Sequence, residues 1–537
     1  MLSDVRQPCD EAVVRSQPEV VDCGQTTGRW VLAAAILGSS LTFIDGTVVN
    51  VALPVLQSRL GASVGQAQWI VESYALMLAA LILAGASLGD RLGRRRVFSA
   101  GVLLFGLASI GCGLAPGATP LIVARGVQGV GAALLVPGSL ALISANFAKE
   151  RRGRAIGTWS GVSAIAAGIG PVLGGWLIER FSWRWIFFMN VPLAAAVLWI
   201  ALRRVPESRD EQMKGPVDWR GAMLATVGLG GVVLGLIESN GRGFGAPLVI
   251  ASLAVGAAAL ALLLFVEAHL EEPMMPLGLF RSRAFAGANL LTFFLYAALG
   301  GLLFFLPFNL IRVQGQAPTA AGAALLPFVL TMFVLSRWAG GLLDRHGAKL
   351  PLVVGPAVAA VGFALFALPD AEPRSYWTSF FPAVMVMSVG MAISVAPLTT
   401  TVMTAVDERH AGIASGINNA VSRTAGLLAV AAFGVLMLHA FNASLAGHLS
   451  ALPLPPEVRA QLTARSEDFV DLEIPDSLGV EARAAIRQAI RDSFVAGFRL
   501  VAGVAAGLAA ASGLVAWWLI PGKAASRAPH ARSSSTG

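Results

Sequence analysis

Apolar stretches of about twenty residues alternate with short polar loops along almost the whole chain. A helix needs about 20 predominantly apolar residues to cross a bilayer, so the pattern predicts fourteen membrane-spanning helices, numbered here spans 1 to 14. The composition agrees with this all-α polytopic prediction, because 56% apolar and 13% charged residues lie outside the range of soluble globular proteins. The spans cover residues 30–52, 67–89, 97–115, 119–142, 155–178, 186–202, 221–239, 247–268, 285–310, 320–341, 350–369, 378–400, 411–440 and 496–520.

Basic residues concentrate in alternate loops, those after spans 2, 4, 6 and 10. Lys and Arg accumulate in cytoplasmic loops, so both termini are predicted in the cytoplasm and the number of spans is even. The net charge of +8 thus reports membrane topology, and we expect no nucleic-acid partner. The basic loops carry Arg91, Arg94, Arg95 and Arg96, then Lys149, Arg151, Arg152 and Arg154, then Arg203, Arg204, Arg209, Lys214 and Arg220, and finally Arg345 and Lys349.

A short motif occurs twice, as Asp90-Arg91-Leu92-Gly93-Arg94 after span 2 and Asp344-Arg345-His346-Gly347 before Lys349 after span 10. Matching the two predicts two six-helix bundles around an insertion of spans 7 and 8, and secondary transporters place their site between such halves. The predicted divisions are a cytoplasmic tail at 1–28 without a cleavable signal, a first bundle at 29–202, the insertion with its linkers at 203–284, a second bundle at 285–520 with a long extracytoplasmic loop at 442–494, and a disordered cytoplasmic tail at 521–537.

Four motifs in the first half carry a family resemblance. They are IDGTVVNVALP at 44–54, GDRLGRRR at 89–96, RGVQGVGAA at 125–133 and GIGPVLGG at 168–175, and WRWIFFMNVP at 183–192 accompanies them. Together they resemble the major facilitator superfamily, in its fourteen-span branch of drug:proton antiporters. One position departs from the family pattern, because Ala86 stands where a glycine usually opens the loop motif. The resemblance implies the major facilitator fold, exchange of drugs for protons, and a place in the bacterial plasma membrane.

Three ionisable residues lie inside the predicted spans at comparable depth in the outer half, namely Asp45, Glu72 and Arg125. Charged groups inside a membrane are functional candidates, and arginine itself stays protonated. We therefore expect Asp45 to carry a coupling proton, Arg125 to bias its release, and Glu72 to be a second titratable group or an attractor for cationic substrate. The alternatives are a fixed Asp45–Arg125 ion pair that only joins two helices, and a Glu72 at the wet outer rim.

Polar residues on two spans are candidates for a substrate cavity. Gln128 shares a helix face with Arg125 in span 4, and Asn418 and Arg423 lie in span 13. With Glu72 they form the predicted cavity set. Arg423 is expected either to contact a polar or anionic substrate group or to bond to carbonyls of a broken helix, and both remain open.

The repeated loop motif predicts a conformational latch of Asp90, Arg91, Gly93, Arg94, Asp344 and Arg345. Asp90 is expected to cap the positive end of span 13 near Gly412, and the alternative is that the arginines only anchor the topology. Span 5 carries a stripe of small residues that predicts a tight packing seam with a neighbouring helix. The resemblance implies that this seam limits proton leakage. The stripe consists of Gly157, Gly161, Gly168, Pro171 and Gly175.

The predicted function is export of hydrophobic or cationic small molecules in exchange for protons, by a monomer without a cofactor or metal. The alternatives are a dedicated exporter of one endogenous metabolite, lipid or antibiotic, uptake instead of export, and a polytopic membrane enzyme. The six histidines are scattered and suggest no catalytic cluster. No phosphate-binding loop for ATP is found, so an ion gradient must supply the energy. The choice of protons over sodium rests on the resemblance.

Overall fold

The computed structural model describes residues 26–209, 217–270, 273–372, 374–407, 411–464, 474–475 and 478–522. Within these residues the chain forms fourteen principal helices, one for each predicted span, and no strand. In chain order they are α1 Thr26–Leu60, α2 Val64–Leu92, α3 Arg94–Leu114, α4 Ala118–Asn146, α5 Lys149–Arg180, α6 Asn190–Arg204, α7 Trp219–Arg242, α8 Pro247–His269, α9 Arg283–Phe308, α10 Leu326–His346, α11 Lys349–Leu365, α12 Phe381–Thr404, α13 Ala411–Ala451 and α14 Val480–Leu519. The predicted tails at 1–25 and 523–537 lie outside the described residues.

Thirteen of the spans in the described part of the chain are long and apolar enough to cross a bilayer. The exception is α11, which has 17 residues and is therefore about 26 Å long at 1.5 Å per residue. It packs between α12 and α14. It must cross because α10 and α12 begin on the same side, where the Tyr376 hydroxyl before α12 donates to the Ala324 carbonyl oxygen before α10. Below, the near side is the membrane side at which α1 begins and Asp90 lies, and the far side is the one at which α1 ends at Leu60.

The helices pack as a first half (α1–α6) and a second half (α9–α14), with α7 and α8 as an antiparallel pair beside them. The pair is closely packed, since a Cβ atom on Gly231 of α7 would lie 2.7 Å from the Ser252 carbonyl oxygen of α8. Helix α7 contacts both α2 of the first half and α13 of the second. Leu76, Val233 and Leu427 belong to the small apolar cluster where these three helices meet. The insertion therefore lies across the joint between the halves.

Much of the predicted loop at 442–494 is helical. Helix α13 continues to Ala451 and α14 begins at Val480, with a short helix at Pro456–Ala464 between them. The α13 helix has 41 residues, about 61 Å, which is twice the hydrocarbon thickness of about 30 Å. Apolar residues on the extensions join the main core, so the two helices pack beyond the membrane as they do within it. These residues are Phe441, Leu445, Leu449, Leu462, Ile486, Ile490 and Phe494.

Candidate functional site

The site is built around the carboxylate of Asp45, which lies midway along α1 and is enclosed by protein. Its Oδ2 atom accepts a hydrogen bond of 2.5 Å from Nη1 of Arg125 on α4, so the two groups form a buried ion pair. Its Oδ1 atom accepts hydrogen bonds from Gln128 Nε2 at 2.9 Å and from Asn190 Nδ2 at 3.0 Å. Helices α1, α4 and α6 therefore meet at this carboxylate.

Residues of α2 and α3 complete the group. Gln128 Nε2 also donates to Ser109 Oγ of α3 at 2.9 Å, and its Oε1 atom accepts from Arg125 Nη1 at 2.6 Å. Arg125 donates from Nε to the Ile70 carbonyl oxygen at 3.1 Å, and its guanidinium lies 4.2 Å from the centre of the Tyr74 ring on α2. Five helices of the first half thus hold one charged pair. We call this group the coupling cluster: Asp45, Tyr74, Ser109, Arg125, Gln128 and Asn190.

The hydrogen-bond geometry restricts how Asp45 can take a proton. Both carboxylate oxygens already face donors from Arg125, Gln128 and Asn190. A protonated carboxyl carries a donor of its own, which would point at one of these groups. A protonated Asp45 would therefore require that one of these donors turns away, or that the amide of Gln128 or Asn190 flips to present its oxygen.

Glu72 lies apart from the coupling cluster. Its side chain is 1% exposed, and neither carboxylate oxygen has a hydrogen-bond partner among the described residues. One helical turn before it, Gln68 donates to the Val430 carbonyl oxygen of α13, and one turn after it Leu76 packs against α7 and α13. Residues four apart share a helix face, so Glu72 faces the apolar joint of α2, α7 and α13. The wet outer rim that sequence allowed is not its position.

The substrate-cavity candidates separate into two groups. Gln128 is completely buried in the coupling cluster, and its place in a substrate cavity stays a prediction. Asn418 Nδ2 donates to Asn289 Oδ1 at 3.1 Å and to Thr292 Oγ1 at 2.7 Å, and so ties α13 to α9. Arg423 lies five residues, about 1.4 turns, further along α13 and is only partly buried.

Arg423 ends a polar stripe on α13. Ser415, Asn419 and Ser422 recur at helical spacing before it, and each is partly or fully exposed although it lies inside an apolar span. Polar side chains inside a membrane face a water-filled cavity or the interior of a bundle. The stripe runs from near the near-side end of α13 to Arg423, and exposed polar residues inside a span are expected to line a water-filled cleft, which here would open to the near side.

The two halves meet closely on the far side. A Cβ atom on Gly175 of α5 would lie 2.5 Å from the Pro318 carbonyl oxygen, and one on Gly322 would collide with the Pro171 carbonyl oxygen. Arg312 donates from Nη2 to the Pro54 carbonyl oxygen at 2.6 Å, which joins the ends of α9 and α1. The far-side contact thus depends on two glycines that allow backbones to approach.

The predicted packing seam on α5 is in contact along part of its length. Gly168, Pro171 and Gly175 touch span 10, whereas Gly161 is in ordinary contact with Phe333, and Gly157 has open space around its Cβ position. Two further glycines on the opposite face of α5 pack against α1 beside Asp45, Gly170 against Thr47 and Gly174 against Val48. The same helix therefore touches both the coupling cluster's helix α1 and the second half.

The loop after α2 is attached to the first half. Asp90 near the end of α2 pairs with Arg94 at the start of α3 at 2.8 Å. Gly93 has a φ of +111°, which favours glycine, and the Glu207 carboxylate sits where its Cβ would be. Glu207 also accepts from the Arg95 backbone at 3.0 Å. The latch between Asp90 and span 13 stays a prediction, and the side chain of Asp344 lies outside the description, while Arg345 is exposed.

Sequence reasoning missed four residues of the site region. Ser109, Asn190 and Tyr74 are uncharged residues inside apolar runs, and no signal other than the motif WRWIFFMNVP pointed to Asn190. Glu207 was overlooked because its loop is mainly basic. A search for polar residues within spans at the depth of Asp45 would have found the first three.

Comparison with known proteins identifies the family. A family model of the Major Facilitator Superfamily matches residues 35–430. The multidrug resistance protein Stp of Mycobacterium tuberculosis is 35% identical over 500 residues, 91% of each chain. The puromycin resistance protein of Streptomyces alboniger is 35% identical over 422 residues, 78% of this chain and 84% of its own length. The tetracenomycin C resistance and export protein of Streptomyces glaucescens is 30% identical over 503 residues, 93% of each chain.

Solved structures agree on the fold. A bacterial homologue of the human lysosomal transporter Spinster, in an inward-facing and unoccupied conformation, has a TM-score of 0.60 at 20% identity and covers 92% of this chain and 99% of its own. A D-xylose-proton symporter has a TM-score of 0.59 at 15% identity and covers 92% and 98%. The family match, the relatives and the packing of fourteen helices lead to one conclusion: the chain belongs to the major facilitator superfamily.

Proposed function

We propose that the protein exports hydrophobic small molecules of the antibiotic type in exchange for protons. The observation that carries the proposal is the buried Asp45–Arg125 pair, held by five helices of the first half. The relatives support the substrate class, since three of them are named for resistance to drugs or antibiotics.

The coupling step is a proton exchange at Asp45. In the described conformation the carboxylate is occupied by Arg125, Gln128 and Asn190. When α4 shifts relative to α1 within the first half and Arg125 moves away, Asp45 is left without its counter-charge in a low-dielectric interior and takes up a proton, because a buried unpaired charge is costly. The return of Arg125 displaces the proton. Arg125 is permanently charged, so it acts as a switch and not as a carrier.

The direction of transport follows from the membrane sides. We assign the near side to the cytoplasm and the far side to the exterior of a bacterial plasma membrane, because the basic loops lie on the near side. The described conformation then presents its cleft to the cytoplasm and loads substrate. Closure on the near side and separation of Gly175 from Pro318 on the far side would release it. We propose a monomer with Glu72 as a second titratable group.

Proton exchange in membrane vesicles tests the proposal. Inverted vesicles that contain the protein are acidified inside with a respiratory substrate, and the interior pH is followed by the fluorescence of an aminoacridine dye. Addition of ethidium, puromycin or fluorescein should release protons for at least one compound, and Asp45→Asn should abolish this release. An Asp45→Asn protein that still exchanges protons at the wild-type rate would contradict the coupling role.

A counterflow control separates coupling from folding. Removing one partner of a buried ion pair costs about 3–5 kcal/mol of stability, so loss of activity alone would be ambiguous. Counterflow, the exchange of labelled substrate for unlabelled substrate without a gradient, needs a folded cleft but no net proton movement. We expect Asp45→Asn to retain counterflow. If Asp45 only joins α1 to α4, Asp45→Asn loses proton release and counterflow together.

A dedicated exporter of one antibiotic is the second candidate. It is favoured by the puromycin and tetracenomycin C relatives, each named for a single compound. Growth inhibition of a sensitive host that expresses the protein distinguishes the two. Protection against several unrelated compounds indicates a multidrug exporter, and protection against one compound indicates a dedicated exporter.

A further inference from the structure

Arg423 lies deep in the protein without a counter-charge. It is 12 residues from the start of α13 at Ala411, so about 18 Å from the near-side end by helical rise. Among the described residues it forms no ion pair and no hydrogen bond, which separates it from Arg125, the other arginine deep in a span. Its side chain is partly exposed.

Two tyrosines lie near this guanidinium. Tyr296 of α9 packs against a small apolar cluster that includes Ala425 and Ala429 of α13. Tyr74 of α2 and Tyr296, which belong to different halves, are both within range of a charge interaction with Arg423. Arg423 therefore lies between the halves and does not face lipid. Tyr74 also contacts Arg125, which stacks over its ring. Tyr74 is thus near both arginines, Arg423 at the end of the polar stripe and Arg125 in the ion pair of the coupling cluster.

Among the described residues, no free carboxylate faces the cleft in a position to bind a cation. Asp45 is enclosed and already paired, and Glu72 faces the apolar joint of α2, α7 and α13. An unpaired arginine is a costly group inside a membrane, and its planar fork of donors matches a carboxylate or a similar anionic oxygen. Aromatic rings pack well against the flat rings of tyrosine.

We infer that Arg423, with Tyr74 and Tyr296, forms a substrate subsite for the anionic oxygen of an acidic aromatic molecule. The inference rests on the proposed function, because it assumes that the cleft binds the exported compound. It also goes beyond it, since it assigns the charge class of the preferred substrate. Because Tyr74 is near both Arg423 and Arg125, occupation of the subsite and protonation of Asp45 would influence each other through this ring.

A matched pair of dyes tests the subsite. Fluorescein and rhodamine 123 share a xanthene body with an attached phenyl ring, but at pH 7.5 the first is anionic and the second cationic. Their binding to purified protein in nanodiscs is measured by fluorescence anisotropy, with empty nanodiscs subtracted. We expect wild-type protein to bind fluorescein more tightly. Arg423→Gln should weaken fluorescein binding by about tenfold or more, the usual size of a lost charge-assisted hydrogen bond, and should leave rhodamine 123 binding within about twofold.

Two variants control for charge and for folding. Arg423→Lys keeps the charge but loses the planar fork, and it should bind fluorescein better than Arg423→Gln does. Arg499→Gln removes a charge from an exposed arginine near the far-side end of the α14 span and should leave both dyes unaffected. The inference is overturned if Arg423→Gln weakens both dyes equally, if it weakens neither, or if wild-type protein prefers rhodamine 123 or binds neither dye.

The inference and the proposed function can fail separately. Proton release that depends on Asp45 but is indifferent to Arg423→Gln for every compound would leave the exporter intact and remove the anionic subsite. Fluorescein binding that depends on Arg423, without proton release on addition of fluorescein, would keep the subsite and remove proton-coupled export of that dye.

Discussion

The two buried carboxyl groups of the first half have opposite surroundings. Asp45 accepts three hydrogen bonds, one of them from an arginine, whereas Glu72 has no hydrogen-bond partner among the described residues. A buried charge needs a partner, so the position of Glu72 suits a protonated, neutral carboxyl in this conformation. Even a neutral carboxyl loses hydrogen bonds to water when it is buried alone. The unpartnered carboxyl of Glu72 therefore lowers the free energy of unfolding of the protein.

Replacing Glu72 with leucine should therefore stabilise the protein. A leucine of similar volume removes an unpartnered polar group from an apolar joint, and such groups cost about 1–3 kcal/mol. We expect a higher melting temperature for Glu72→Leu in detergent and a smaller change for Glu72→Gln. If Glu72 is a second titratable group, Glu72→Leu also lowers proton release per transported substrate. A strong loss of stability in both variants would show that the carboxyl has an ionic partner in the native protein.

Sequence alone located the charged pair but not its surroundings. Depth along each span placed Asp45 and Arg125 together, because the helical rise converts a residue number into a height in the membrane. It could not say which face each helix turns towards its neighbours. The same depth argument grouped Glu72 with them, although its face turns towards α7 and α13. Ser109 and Asn190 carry no charge, so nothing in an apolar run distinguished them before the helices were packed.

At the scale of elements, span 10 is divided into a short helix at Pro318–Ala323 and α10 from Leu326. Pro327 is one cause, because proline supplies no backbone donor and its ring clashes with the preceding turn. The Ala324 carbonyl oxygen in the break accepts a hydrogen bond of 2.7 Å from the Tyr376 hydroxyl. The break positions Gly322 against α5, so a local helix defect serves the far-side contact between halves.

Tyr376→Phe should destabilise the interruption between the Pro318–Ala323 helix and α10. Burial raises the pKa of Tyr376 to about 12, so the hydroxyl remains protonated and donates throughout the pH range of transport assays. Its loss leaves the Ala324 carbonyl without this donor and should cost about 1 kcal/mol. The measurement is the melting temperature in detergent between pH 6 and 9, where the difference from wild type should be constant. A difference that varies with pH in this range would contradict the assignment.

The seam on α5 should control which side of the protein is closed. Valine at position 175 would place side-chain atoms on the Pro318 backbone, within the closest contact between the halves. We expect Gly175→Val to separate the halves on the far side and to reduce counterflow strongly. Gly157→Val is the matched control on the same helix, because nothing lies within 4 Å of its Cβ position. Equal loss of counterflow in both variants would mean that the cause is the helix and not the contact.

Helix number was predictable from the sequence, whereas helix ends were not. A run of apolar residues long enough for a membrane reports a crossing directly, and each of the fourteen runs contains a helix. The extensions of α13 and α14 beyond the membrane are amphipathic, with Phe441, Leu445 and Leu449 at helical spacing among polar residues. A uniform apolar run ends where such a pattern begins. Run length alone therefore places residues 442–451 and 480–494 in the predicted loop.

The whole molecule is asymmetric across the membrane. On the far side Arg312, Gly175 and Gly322 join the halves through backbone contacts. On the near side α13 presents the polar stripe that ends at Arg423. Among the described residues Asp90 pairs with Arg94, and Gly93 and Arg95 contact Glu207 just after α6. In an alternating-access mechanism, the close contact between the halves must form on the near side while the far side opens.

Cysteine accessibility tests this asymmetry and the membrane orientation together. Asn419 is exposed at mid-stripe, so Asn419→Cys, in a background with serine at positions 9, 23 and 112, should react with a membrane-impermeant thiol reagent. The reaction should occur in inverted vesicles, which present the near side outward, and not in intact cells. Gly503→Cys is the control on α14, because position 503 is exposed on an apolar span without close neighbours, as a lipid-facing residue would be. A charged reagent does not enter lipid, so this control should stay unlabelled from both sides.

Labelling of Asn419→Cys in intact cells alone would reverse the assigned orientation and with it the direction of transport. Labelling from both sides that an added substrate reduces on one side would show that the two conformations exchange at rest, and that substrate binding selects between them.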